Sequence, residues 1–179
     1  MLFRATQPLA QAIKGFLVAL ALAVAAASPG YAQRPAENPF GPLAGSWSGT
    51  GTIALSSGTK ERIRCRATYR PDSSAMNLQI ELRCASDSYT FELKSNVSHK
   101  VGEISGMWTE STRGAIGSIS GIATGNQIQV RALGPIFSAI LSLTTRGDRQ
   151  QISIQSPGSE MSEVLISLSK AKASSAPAN

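Results

Sequence analysis

The sequence predicts an all-β protein: an antiparallel up-and-down barrel of about 8–10 strands, with a two-sheet β-sandwich as the alternative. Three observations predict it. Apolar and polar residues alternate along Leu43 to Ser169, the two-residue period of strands with one buried face. Turn-forming clusters break that alternation at short intervals: SSGT at 56, PDSS at 71, ASDS at 85, STRG at 111, GN at 125, GP at 134, RGD at 146 and SPGS at 156. No long segment beyond residue 32 carries a 3.6-residue period, so crossover helices and a parallel sheet are not expected. Successive strands joined by tight turns make a meander, and closing it removes the unpaired edges that invite aggregation.

The elements follow in order. The strands expected from the alternation are Gly45 to Leu55, Glu61 to Arg70, Met76 to Cys84, Ser88 to Ser95 and Val101 to Glu110, then Ala115 to Thr124, Gln127 to Ala132, Ile136 to Thr145, Gln150 to Gln155 and Ser162 to Leu168. Ahead of them, residues 1–14 carry Arg4 and Lys14 and no acid, and Gly15 to Ala27 is an unbroken apolar or small-residue run, the pattern of a secretory signal. That run is short of the ~20 residues a membrane span needs, and Pro29, Gly30 and Ala32 follow it. Cleavage is expected after Ala32, so the mature chain is read as periplasmic or secreted from a bacterium, with no transmembrane segment after processing. A flexible lead (33–42), a barrel domain (43–169) and a disordered tail (170–179) complete the expected organisation.

Charge and side-chain inventory narrow the function. The 179 residues hold 17 Lys and Arg against 11 Asp and Glu, a net charge of +6, with one His and two Cys. Losing residues 1–32 leaves 147 residues at +4. So few His and Cys argue against a metal site or a Cys/His nucleophile, and no catalytic residue is assigned. A G-x-S-x-G elbow is missing: GSWSG and GSISG place Trp47 and Ile119 at the centre. His99, in SNVSHK, is read as an exposed turn residue. Asn96-Val97-Ser98 fits a glycosylation acceptor, and Arg146-Gly147-Asp148 is ordinary hairpin chemistry. An enzyme is not expected, and nucleic acid is a poor partner because exposed aromatics do not interleave with the basic residues.

Cys65 and Cys84 are an even pair in a chain expected to be exported, and are expected to form a disulfide. If they face each other across a hairpin, Ala67 faces Leu82 and Tyr69 faces Ile80, on the same side as the cysteines and Ile63. The opposite side then gathers Arg62, Arg64, Arg66, Arg70 and Arg83 beside Gln79 and Glu81. This is a candidate anion-binding surface for lipid head groups or an acidic partner, or else a solvated sheet face. Arg66 opposite Arg83 needs an anion or Glu81 as a screen.

The first strand reads Gly45-Ser-Trp47-Ser-Gly49-Thr-Gly51. Its G-x-W start resembles the opening strand of calycin-type (lipocalin-like) barrels, and its G-x-W-x-G-x-G form is similar to nitrobindin-like barrels. The resemblance implies a calycin-like fold with Trp47 closing one end. Nitrobindin-like barrels hold haem iron through a His late in the chain; no His follows His99, so no cofactor is expected. The stretch Cys84 to Glu110, with CASDSYTFEL and GMWTE, resembles uncharacterised exported alphaproteobacterial proteins and implies no activity.

The reading this supports is a non-enzymatic barrel that takes a small apolar or amphipathic ligand inside, lined by Trp47, Tyr69, Tyr89, Phe91 and Trp108, with core filling as the alternative role for these side chains. Glycines within strands, at 49, 51, 106, 117 and 121, are expected to mark bends and leave interior volume. Two other readings stand beside it. The chain also resembles small bacterial metalloprotease inhibitors, in which Gln33 to Pro42 would enter a protease cleft. Alternatively, the arginine face meets an envelope lipid or protein.

Overall fold

The alternation between Leu43 and Ser169 folds as ten strands. A computed structural model describes residues 38–135 and 137–172; the expected signal segment, residues 33–37 of the lead, Ile136 and residues 173–179 of the tail lie outside the described residues. A single 3-10 turn, Gly41–Leu43, precedes β1 (Gly45–Leu55), β2 (Lys60–Pro71), β3 (Asn77–Ala85), β4 (Thr90–Lys100) and β5 (Glu103–Glu110). Then come β6 (Ala115–Thr124), β7 (Gln127–Leu133), β8 (Ser138–Arg146), β9 (Arg149–Gln155) and β10 (Met161–Lys170). Each strand pairs antiparallel with its sequence neighbours, and β1 pairs with β10, so the meander closes into a barrel and not a sandwich. The seam runs from Trp47 opposite Lys170 to Leu55 opposite Met161, with one irregularity at Ala54/Leu55.

Alternation decides which residues fill the barrel. On β2 the side chains of Ile63, Cys65, Ala67 and Tyr69 are buried, while Arg62, Arg64, Arg66 and Arg70 between them are exposed. On this strand the apolar side chains face inward and the charged ones outward, the reverse of a strand in a lipid-immersed barrel. Cys65 sits opposite Cys84, Ala67 opposite Leu82 and Tyr69 opposite Ile80, and the two cysteines are bonded. The bridge spans 19 residues of sequence. In the chain-entropy account its loss costs about 3 kcal/mol. Cys65→Ser/Cys84→Ser is therefore expected to unfold at lower denaturant with an unchanged barrel spectrum; equal midpoints for the bridged and unbridged proteins would remove the bridge from the stability account.

Two expectations are corrected at the end of the barrel where the chain enters. His99 is not an exposed turn residue. β4 continues through it to Lys100, and its ring is buried among Phe40, Met76 and Gly102. The Gly102 N–H donates to His99 Nε2 at 3.1 Å, Nδ1 lies 3.5 Å from the Met76 sulfur, and Phe40 meets the ring edge-on at 6.2 Å. The turn itself is Val101–Gly102, both with positive φ (52° and 86°), the geometry of a two-residue hairpin. The end of the expected flexible lead is likewise packed: Phe40 is 1% exposed and Leu43 2%, so residues 40–42 are held against the barrel and do not extend freely toward a protease cleft.

Candidate functional site: the barrel interior

In an up-and-down barrel alternate turns fall at the same end, and this gives the interior a floor and a mouth. The chain entry and the turns after β2, β4, β6 and β8 form the floor. The turns after β1, β3, β5, β7 and β9 form the mouth. Between them lies a cavity of about 430 Å³. Phe40, Leu43, Tyr69 and Leu78 line its floor, Leu82, Phe91, Ile119, Leu141 and Ile152 belong to its wall, and Tyr89, Glu110, Arg113, Phe137, Ser159 and Glu160 surround its mouth.

The floor is sealed by Trp47, which is 1% exposed. Its Nε1 donates to the Leu43 carbonyl at 2.7 Å, its ring meets Tyr69 edge-on at 6.5 Å, and Lys170 Nζ stands 5.4 Å from the ring centre. Tyr69 Oη donates to Gln150 Oε1 at 2.7 Å, and Gln150 Nε2 donates to Thr145 Oγ1 at 3.2 Å. Burial pushes the Tyr69 phenol well above its ordinary range, opposed in part by the Gln150 contact. In the wall, Ser95 gives its hydroxyl to the Met107 carbonyl at 2.9 Å. The Tyr69 and Ser95 hydroxyls are thus committed to the protein, and most of what remains to a guest is apolar surface.

At the mouth the chemistry changes. The Glu110 carboxylate accepts the backbone N–H of Glu92 at 3.0 Å, Thr112 at 3.1 Å and Arg113 at 2.9 Å, together with the Thr112 hydroxyl. Burial pushes Glu110 up, but these hydrogen bonds outweigh it and hold the carboxyl below its ordinary range. The Arg113 guanidinium lies over the Tyr89 ring, 4.4 Å from its centre, and 3.8 Å from Glu110. Burial raises the Tyr89 phenol, with Arg113 opposing and Glu160 and Glu110 adding. Among the described residues no group of three or more His, Cys, Asp or Glu converges to hold a metal. His99 does not line the cavity, and its Nε2 is occupied by Gly102.

Of the five aromatics expected to line the interior, Tyr69, Tyr89, Phe91 and Trp108 do; Trp47 does not line it and instead closes the floor, the end-closing role that the calycin resemblance implies. Sequence reasoning missed Phe40 and Leu43, whose apolar spacing before Trp47 was the available signal, and Arg113 with Glu110, which read only as a turn residue and a strand end. The strand glycines do not open volume, since none lines the cavity. A Cβ at any of the five would fall 2.0–2.2 Å from a carbonyl oxygen of the adjacent strand, so they serve close strand approach. The space over Gly117 is filled by Trp108, whose indole N–H is buried without a hydrogen-bond partner and whose ring meets Phe137 edge-on at 5.7 Å.

On the outside, Arg62, Arg64, Arg66, Arg70 and Arg83 share the exposed face as expected, and Arg66 stands opposite Arg83. The screen differs from expectation: Glu81 pairs with Arg70 at 3.1 Å, and it is Glu92 that meets Arg83, also at 3.1 Å.

No protein-family model matches the sequence, and no curated protein matches it. Solved structures do. The chain is similar to Rv2717c from M. tuberculosis, with a TM-score of 0.60 at 15% identity over 74% of this chain and 94% of that one. It is also similar to the S-type phycobiliprotein lyase CPES from Guillardia theta, with a TM-score of 0.50 at 11% identity over 75% and 91%. At such identities the likeness concerns the fold alone. Together with the closed ten-strand topology, it fits a calycin-like fold.

Proposed function

We propose that the protein is an exported, non-enzymatic binding protein that takes one small apolar or amphipathic molecule into its barrel. The observation that carries this reading is the cavity: about 430 Å³, apolar through its depth, plugged at the floor and ringed by charge at the mouth. That volume lies in the ~300–1,000 Å³ range of small-molecule sites. A ligand enters apolar end first, because a buried head group would find Tyr69 and Ser95 already committed. Any polar end stays near Arg113, Tyr89 and Glu160.

The test is saturable binding of a neutral hydrophobic dye, N-phenyl-1-naphthylamine, followed by its fluorescence. One dye per chain is expected. Ala132→Phe, which directs a ring from β7 into the cavity, is expected to weaken binding by at least about tenfold while the melting temperature stays within about 5 °C. Ile119→Trp is the second filler. Absence of dye binding to the wild type, or undiminished binding by both fillers, would defeat the reading.

A further inference from the structure

The outer wall of β2 carries charge that the protein does not balance. Lys60, Arg62, Arg64 and Arg66 project from one strand at every second residue, about 7 Å apart, and all are exposed. Among the described residues none of the four takes part in a salt bridge, whereas Arg70 and Arg83 beyond them are matched by Glu81 and Glu92. On β1 the row faces short neutral side chains, with Arg62 opposite Thr52, Arg64 opposite Thr50 and Arg66 opposite Ser48. Like charges held in a line cost stability unless an external anion answers them.

We propose that this row docks the barrel on an anionic lipid surface. Three features favour a membrane as the occupant. The four cations are spread over about 20 Å of one strand, a span that an extended anionic surface meets at once and a small dissolved anion does not. Thr52, opposite Arg62 on one side, is opposite Leu165 on the other, and Leu165 is 48% exposed, an apolar contact beside the cations. The row begins at Lys60, beside the turn after β1, and the Ser56 N–H of that turn donates to the Glu160 carbonyl at the cavity mouth at 2.8 Å. Docking therefore brings the mouth close to the lipid, where apolar guests partition; this last point rests on the binding function proposed above.

The experiment compares sedimentation of the purified protein with vesicles of phosphatidylcholine alone and of phosphatidylcholine mixed with phosphatidylglycerol. The mixed vesicles are expected to bind more tightly, and high salt to abolish the difference. Each cation near such a surface contributes about a fivefold factor, so Arg62→Gln/Arg64→Gln/Arg66→Gln is expected to lose about a hundredfold in affinity. Arg131→Gln/Arg146→Gln/Arg149→Gln, with the same net charge removed from the other side of the barrel, is expected to keep the preference. Equal binding to both vesicle types overturns the proposal, as does an equal loss in the two triple variants. Retention by soluble polyphosphate without vesicle binding also overturns it and assigns the row to a dissolved polyanion. Dye binding in the same preparations separates the two readings: vesicle binding lost with dye binding intact rejects docking alone.

Discussion

Trp47→Ala is expected to lower the unfolding free energy by about 3–5 kcal/mol, the cost of emptying a large buried aromatic site. The magnitude follows from what the ring holds together. It is 1% exposed, its N–H is the partner of the Leu43 carbonyl, and it packs edge-on to Tyr69. Truncation removes the plug, leaves the Leu43 carbonyl without its donor and releases the 3-10 turn that carries Phe40 onto His99. Trp47→Phe separates these contributions: most of the apolar contact survives and the hydrogen bond does not, for a cost of about 1–3 kcal/mol. Denaturant unfolding followed by circular dichroism measures both. A plug is also expected to differ from a lining residue in one respect, that Trp47→Phe binds the neutral dye as the wild type does. A cost below 1 kcal/mol for Trp47→Ala would mean that the floor is held by other contacts.

What could be read from the sequence divides along a physical line. Strand periodicity and the cysteine register were legible because both are local rules with many residues obeying them at once. Cys65, Ala67 and Tyr69 fall opposite Cys84, Leu82 and Ile80 as the disulfide requires. The turn at Val101–Gly102 was not legible, because a β-branched residue stands where Asn or Gly ordinarily takes positive φ, and the error moved His99 out of its strand. Phe40 was lost for another reason: Asn38, Pro39, Gly41 and Pro42 around it read as a polar, turn-rich lead, and only the closed end of a barrel gives its ring a place to go. Trp47 illustrates the limit for the site. Its inward direction followed from the strand period and its end-closing role from the G-x-W resemblance, but that this role excludes it from the lining depends on strand tilt and on the Phe40 to Leu43 segment packed beneath it. Arg113 and Glu110 belong to the mouth only because alternate turns meet there, a fact of topology with no local sequence signature.

Gly117→Ala is expected to cost about 4 kcal/mol, an effect of unusual size for adding one methyl group. The added Cβ would lie 2.0 Å from the Leu133 carbonyl oxygen and 2.6 Å from Trp108 Cε2 and Nε1. These two obstacles differ in kind. Trp108 lines the cavity, so its ring can retreat into empty space; the Leu133 carbonyl is fixed by the pairing of β6 with β7, where Leu133 stands opposite Ser118. The backbone contact should therefore carry most of the cost, and Gly117→Ala should remain strongly destabilising in a Trp108→Leu background, with a coupling of about 1 kcal/mol between the two sites. Dye binding responds in the opposite sense. The displaced indole occupies cavity volume in Gly117→Ala and weakens binding, whereas Gly117→Ala/Trp108→Leu has no ring to displace and recovers it. Stability restored by Trp108→Leu would place the constraint in the side chain and leave the close approach of the two strands without energetic consequence.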